Sequence, residues 1–413
     1  MDKKHKSVIN NRRYSETSDT KEQGARKRKK SRNKNATSSS SQSRSKKSAI
    51  NNHRHSQPLT SRNKAKIKNS KRPTRKKHHF FKNFLILILS LVVITYLLAF
   101  LFVKISPLNS DISSKADAYH ISDEAAAIAQ NHDAINVLIF GLDGRDNVDG
   151  DRSDTIMIAS ADFETGDIKI TSLMRDTYTY INDTYGYDKL NSAYSYGGSE
   201  QAITTINENF DTAITDYVTV DFTCTTEMVD AVGGVTVNIE SQDELDWVNI
   251  YLADVNTQLG TYSENVPGIG EQVLNGNQAL AYCRIRYVGN GDFDRTERQR
   301  VVMEQVLQKA LDLNPIAQFR LIQEVLPYVE TSLSNREFIT YLANVFFMND
   351  YSIEQDRLPT DEYVGTGLLY GVSYVFPNTL ADNIKQWYQF VYGIDYTPSS
   401  RAQSISDEIN YVW

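Results

Sequence analysis

Five arginines gather between residues 281 and 300, in the run Ala281-Tyr-Cys-Arg-Ile-Arg-Tyr-Val-Gly-Asn-Gly-Asp-Phe-Asp-Arg-Thr-Glu-Arg-Gln-Arg300. The preceding stretch, residues 190–283, holds no Lys or Arg at all. Arg284 and Arg286 stand two apart in an apolar run with strand character over 279–288, so both are expected on one face. Arg295, Arg298 and Gln299 follow at helical spacing and are expected to share a face of the next helix. Guanidinium groups this concentrated repel one another unless an anion lies between them, and their planar forks match phosphate oxygens. The competing reading is a salt-bridged helix start with Asp292, Asp294 and Glu297 as partners.

Carboxylates come from the loop Gly141-Leu-Asp143-Gly-Arg-Asp146-Asn-Val-Asp149-Gly-Asp151-Arg152-Ser-Asp154. Asp143 closes one expected strand and Asp154 opens the next, and neighbouring strand ends can bring two carboxylates to one cation. Such oxygen ligands suit Mg²⁺, which takes one or two carboxylates together with phosphate oxygens and water. A calcium loop and a solvated acidic turn are the alternatives. EF-hand spacing fails, because Arg145 falls where the first acid belongs. Arg152 stands two before Asp154, and Arg175 ends a third strand, at the carboxyl end where ligands of α/β sheets gather. Lys189 and Asn191 lie in a polar turn.

Other chemistries are excluded by residue type. No histidine occurs after His132, which removes Ser-His-Asp, Cys-His and His-built zinc sites from the rest of the chain. No Gly-x-x-x-x-Gly-Lys-Ser/Thr is present, and Gly365-Thr-Gly367-Leu-Leu-Tyr-Gly371 misses dinucleotide spacing by one. Carboxylate and arginine chemistry remains.

The elements that must hold these residues alternate between strand and helix. Strands are expected over 135–142, 154–160, 168–174, 217–222 and 235–239. Helices are expected over 199–210, 225–232 (closed by Gly233-Gly234), 294–313, 335–347 and 380–391. The pattern predicts one α/β domain over 134–394: a single mixed sheet with helices on both faces, followed by a tail over 395–413.

Charge divides the 413 residues sharply. Residues 1–83 hold 27 Lys and Arg against 4 Asp and Glu, leaving 18 basic against 47 acidic for the remainder. Residues 1–79 carry almost no large apolar side chains and are expected to be a disordered basic tail. Its Arg26–Lys30 patch suits nucleic acid or anionic lipid equally, though a tail that simply stays inside is favoured and a nucleic-acid partner is not expected. Residues 84–103 are an uncharged apolar run of the length that crosses a bilayer, so 80–104 is read as a single membrane helix. Basic residues crowd its N-terminal side, which predicts a cytoplasmic N-terminus and an outer domain. A cleaved signal peptide is the alternative. Residues 105–133 read as a stalk with a short helix from Ser122. Cys224 and Cys283 would then lie outside, where a disulfide is permitted but two buried thiols are equally compatible.

Several ordered motifs resemble the LytR-CpsA-Psr family: Asn136-Val-Leu-Ile-Phe-Gly-Leu-Asp143, Arg152-Ser-Asp154-Thr, Ser172-Leu-Met-Arg175-Asp176, Lys189-Leu-Asn191-Ser-Ala, Val229-Asp-Ala-Val-Gly-Gly-Val-Thr-Val, Tyr282-Cys-Arg284-Ile-Arg286-Tyr and Asp294-Arg295-Thr-Glu-Arg298-Gln299-Arg300. The resemblance covers about 134–392. It implies a membrane-anchored phosphotransferase of Gram-positive cell-wall assembly. Such an enzyme moves an anionic glycopolymer, a wall teichoic acid or capsule-like chain, from a polyprenyl-pyrophosphate carrier to peptidoglycan. By the same resemblance Asp143 and Asp154 would hold Mg²⁺, Arg152, Arg175, Arg284, Arg286, Arg295 and Gln299 would clamp the pyrophosphate, and Lys189 would stand near the head group. A polyprenyl-pyrophosphate hydrolase, a non-catalytic lipid binder and a membrane-bound regulator are the rival readings. The basic tail is longer than the resemblance explains, and neither the polymer, the general base nor the oligomeric state is legible.

Overall fold

A computed structural model describes Ser90 and residues 112–142, 153–346, 348 and 351–413. The basic tail and, Ser90 apart, the expected membrane helix lie outside these residues. Among the described residues no helix is long and apolar enough to cross a membrane.

Two short helices, α1 (Ile112–Lys115) and α2 (Asp123–Asn131), come first. Ser122 caps α2 as expected, its hydroxyl accepting from the Ala125 amide. This part of the expected stalk lies on the domain. Ile112, Ile121, Ala125 and Ala129 pack with Ala213, and Asn207 donates to the Tyr119 carbonyl at 3.1 Å.

Strands β1 (Ala134–Leu142), β2 (Ser153–Asp162) and β3 (Asp167–Leu173) form an antiparallel meander. A hairpin, β4 (Tyr178–Asn182) and β5 (Gly186–Lys189), leads into α3 (Leu190–Phe210), which begins nine residues before the expected helix. Gly197 and Gly198 break α3 near its first third, with Gly198 at φ +65°, a conformation open to glycine. Then follow β6 (Asp216–Val220), α4 (Phe222–Ala231), β7 (Val235–Ile239), α5 (Gln242–Leu259), β8 (Gly270–Leu274), α6 (Gly276–Cys283) and α7 (Asp292–Asp312). The chain continues through α8 (Pro315–Val325), β9 (Val329–Thr331), α9 (Asn335–Phe346), β10 (Ser352–Leu358), β11 (Val364–Leu369), β12 (Val372–Pro377), α10 (Leu380–Tyr392) and α11 (Ser400–Val412).

The six-stranded sheet runs β10-β3-β2-β1-β6-β9. Its β10–β3 and β1–β6 pairs are parallel and the rest antiparallel, so the sheet is mixed, as expected. Period-two alternation separates its faces. Leu138, Phe140, Ile156 and Ile158 face a core built with α3, α10 and α11, while Ile135, Ala161 and Ile168 face Leu307 and Leu311 of α7 and Tyr341 and Val345 of α9. A second core, outside the sheet, joins α4, α5, α6 and the antiparallel β7–β8 pair to Val302 and Val306 of α7. Helix α7 therefore stands between sheet and second core.

Two expectations are corrected. The expected tail contains α11, capped by Ser399, whose Ala402, Ile405 and Ile409 are fully buried in the main core. Its apolar residues recur at helical spacing, a pattern that the flanking polar residues mask. The expected strand over 279–288 is not a strand. Asn275 and Gln278 form a reciprocal capping box that starts α6, and the Ala-Leu-Ala run favours helix. Gly276 permits this seat, since a Cβ there would collide with the Thr226 carbonyl oxygen of α4.

Candidate active site

A cavity of about 570 Å³ opens between the sheet and helices α4, α6 and α7. Its floor is apolar: Ile139, Met157 and Val220 from the sheet, Phe222, Met228 and Val229 from α4, Leu280 from α6, and Val302, Met303 and Val306 from α7. Its mouth is charged, lined by Asp154, Arg175, Asp176, Lys189, Arg284, Arg286, Arg295 and Gln299. Seven of the nine expected site residues thus meet at one opening. The other two, Asp143 and Arg152, lie outside the described residues.

The mouth is a lattice of three guanidiniums and two carboxylates. Asp154, on β2, accepts from Arg175 Nη1 at 2.5 Å and from Arg286 Nη2 at 3.1 Å. Its backbone carbonyl accepts from Arg295 Nη2 at 3.3 Å. Asp292, in the first turn of α7, accepts from Arg175 Nε at 3.2 Å and Arg295 Nη2 at 3.0 Å, and stands 3.8 Å from Arg286 Nε. Asp176 stands 3.9 Å from Arg175 Nη2 and also pairs with Lys189, so among the described residues four cations here face three carboxylates. Burial pushes the Asp154 carboxyl up, but Arg175, Arg286 and Arg295 outweigh it and hold the group below its ordinary range. Arg295 feels the excess most: burial, then the neighbouring Arg175, push its guanidinium down to about 10. Its Nε, buried, has no hydrogen-bond partner among the described residues.

The remaining cations stand around this lattice. Lys189 pairs with Asp176 at 3.1 Å. Arg284 pairs with Asp254 at 2.9 Å and lies over the rings of Phe222 and Tyr251. Arg284 caps α6, so the two arginines expected on one strand face leave a turn toward different partners. Gln299 follows Arg295 by one helical turn and donates to the Cys283 carbonyl at 3.4 Å. Arg298 departs from the expected shared face. It reaches back to Glu244 at 2.8 Å in a buried pair at the second core. Both cysteines are free thiols, and burial raises each to about 12.

Sequence reasoning missed Asp292 as a member of the site and treated it only as a helix-start partner. Its signal was present, since a carboxylate one turn before Arg295 on a helix must face the same side. Asp176 stood in the Ser172–Asp176 motif but was given no role, whereas Asp254 and Tyr251 carried no signal, because nothing local says what they will approach.

The charge state of Asp154 fits a divalent cation, which requires an ionised carboxylate. Two guanidinium bonds leave a carboxylate further lone pairs to offer. Among the described residues no group of three metal-ligating side chains exists, so phosphate oxygens, water or residues 143–152 would have to complete such a site.

A mixed sheet flanked by helices thus carries a cavity lined by apolar side chains and a cluster of arginines. Residues 101–387 match the model of the LytR_cpsA_psr family, and the chain belongs to the LytR-CpsA-Psr family. It is 32% identical over 275 residues to the polyisoprenyl-teichoic acid–peptidoglycan teichoic acid transferase TagU of Enterococcus faecalis, which covers 64% of this chain and 82% of that protein. The fold resembles the crystal structure of protein gbs0355 from Streptococcus agalactiae, at 25% identity and a TM-score of 0.53, covering 67% of this chain and 94% of that one. It also resembles TagT bound to LI-WTA, at 23% identity and a TM-score of 0.50, covering 63% and 92%, a likeness of fold alone.

Proposed function

We propose that this protein transfers an anionic glycopolymer from a polyprenyl-pyrophosphate carrier to peptidoglycan. One observation carries the reading: three guanidiniums, in excess over the two carboxylates they share, line the same cavity of about 570 Å³ as a set of apolar side chains from the sheet and helices. Such a site suits a ligand with a pyrophosphate head and a hydrocarbon tail. Similarity to the teichoic acid transferase of E. faecalis supports the same class of reaction.

The prenyl chain enters the cavity floor and is stabilised by the area it removes from water, roughly 25 cal/mol per Å². The pyrophosphate exchanges into the lattice, taking bonds now made by Asp154 and Asp292. Arg175, Arg286 and Arg295 then fix it, with Arg284, Gln299 and Lys189 at the rim and Arg152 as a further cation. A sugar hydroxyl of the wall attacks the phosphorus that bears the polymer and gives up its proton to solvent. The bond to the bridging oxygen breaks, and polyprenyl phosphate leaves with that oxygen. Charge on the transferring group is the barrier, and guanidiniums preorganised around it lower that barrier. Asp154 and Asp143 would hold Mg²⁺, which when bound adds positive charge beside the phosphate oxygens. The pyrophosphate bond supplies the driving force, so no nucleotide is needed. The apolar run over 84–103 anchors the chain, with the tail inside and the domain outside the cell membrane.

The test uses the full chain in detergent with a short prenyl-pyrophosphate glycan and peptidoglycan oligomers, with and without Mg²⁺, followed by mass spectrometry. A phosphodiester adduct that requires Mg²⁺ supports the reading. Released glycan phosphate in place of adduct supports hydrolysis instead.

A further inference from the structure

Beside the cavity the β4–β5 hairpin and the start of α3 carry an exposed aromatic ledge. Tyr185 and Tyr196 stack with ring centroids 3.9 Å apart and planes 5° from parallel, yet 47% and 40% of their surfaces remain open. The turn that carries Tyr185 and the hydroxyl of Tyr196 are both held. Asn182 accepts from the amides of Thr184 and Tyr185, and its own amide is fixed by Gln201 at 2.8 Å. Tyr196 donates to Asp188 Oδ2 at 2.7 Å, just before the Gly197-Gly198 break in α3. A rigid, solvent-facing pair of rings is neither core nor random surface.

The ledge joins the cavity through adjacent residues. Asp188 anchors Tyr196 and also accepts from the Tyr374 hydroxyl, and the next residue, Lys189, is part of the cavity mouth. Lys189 Nζ sits between its Asp176 partner at 3.1 Å and the Tyr374 ring at 5.7 Å. A chain lying on the ledge can therefore present its end at the arginine lattice.

Charge decides which chain that is. The phenol groups around the ledge donate to carboxylates: Tyr180 to Asp183, Tyr187 to Glu408, Tyr196 and Tyr374 to Asp188. Arg401 lies over Tyr180 but is paired with Glu208 at 2.6 Å. Such a surface repels a polyanion. It suits a neutral ligand with flat apolar faces and a rim of hydroxyls, where the rings take the C–H faces and the carboxylates accept from O–H groups. The geometry points to the Tyr185–Tyr196 ledge as the binding site for the acceptor, a neutral chain of hexosamine sugars such as the peptidoglycan glycan, delivered past Asp188 and Lys189 to the phosphoryl site. This inference rests on the proposed transferase reading and adds the side from which the acceptor arrives.

The test measures acceptor and donor KM separately on the detergent-solubilised full chain and, independently, binding of a chitin tetrasaccharide by NMR titration. Tyr185→Ala and Tyr196→Ala are each expected to raise the acceptor KM and the tetrasaccharide Kd about tenfold, equivalent to about 1.4 kcal/mol. Donor KM stays unchanged, and Tyr196→Phe, which keeps the ring, stays within about twofold. Tetrasaccharide binding that Tyr185→Ala abolishes, in a protein showing no transfer, leaves the ledge standing and removes the transferase reading. Three results overturn the ledge: no tetrasaccharide binding, a donor KM that rises instead, or an acceptor KM that responds to Trp247→Ala and to neither tyrosine. Trp247 meets the exposed Tyr287, next to Arg286, in a tilted contact with ring centroids 4.5 Å apart, a second aromatic surface among the described residues.

Discussion

Arg295 and Arg298 lie one turn apart on α7, both almost wholly buried, and do opposite things. Arg298 has one carboxylate, Glu244, at 2.8 Å, a backbone carbonyl at 3.4 Å, and the Tyr282 ring beside it. Its charge is matched locally, as in a structural ion pair. Arg295 has one carboxylate, Asp292, which it shares with Arg175 and Arg286, and the Asp154 backbone carbonyl; it is pushed down to about 10 and keeps a buried N–H without a partner among the described residues. Burial alone does not mark a functional arginine. What separates the two is the cavity, which Arg295 lines and Arg298 does not.

Exchanging the two roles by mutation gives the largest effects. Arg295→Ala or Arg175→Ala should reduce polymer transfer by about 10²–10³-fold, the usual loss on removing a preorganised charge stabiliser. The melting temperature should hold, because the lattice loses a cation it carries in excess. Arg298→Ala should do the reverse. It leaves Glu244 buried and unpaired, at a cost of about 3–5 kcal/mol, read as a lower denaturation midpoint with near-normal turnover per folded molecule. A double change, Glu244→Leu with Arg298→Met, should recover most of that stability, since a buried pair replaced by apolar groups is often neutral. If the double variant is as unstable as Arg298→Ala, the pair has a role beyond matching charge.

Acid titration separates the regions more gently. The folded-state pKa of Asp154 is below its ordinary value of 3.8, so its ionised form stabilises the fold above that value. The contribution falls as pH drops through the folded-state pKa. The difference in stability between wild type and Asp154→Asn should therefore be flat from pH 8 to about pH 5 and shrink only in strong acid. The smallest effect belongs to Arg284→Lys. Charge is kept while the stacking on Phe222 and Tyr251 is lost, and a several-fold rise in donor KM is expected from steady-state kinetics.

Much of this is legible in the sequence. The near-continuous apolar runs of β1 and β2 announce buried strands, and Asp154 and Arg175 fall at strand ends where α/β sheets gather ligands. The clustering of Arg284, Arg286 and Arg295 after a stretch without any basic residue marks the mouth. Side-chain direction is less legible. The 279–288 run reads as strand by its apolar continuity, but the Asn275–Gln278 capping box and the Ala-Leu-Ala run make its first part a helix that ends at Arg284 and sends Arg284 and Arg286 to separate partners. Arg298 looks equivalent to Arg295, because a shared helical face says nothing about a glutamate far upstream in the chain; the approach of Glu244 is a tertiary event. The apolar floor is equally hidden, since its residues come from the sheet and three helices with no common period.

The most direct measurement is calorimetric titration of the full chain with geranyl pyrophosphate and with geranyl phosphate. The account predicts that the pyrophosphate binds one site at least tenfold more tightly than the monophosphate. It further predicts that Arg295→Ala erases this preference and Arg298→Ala leaves it in place. Equal affinity for the two lipids, or a preference that survives Arg295→Ala, would contradict it.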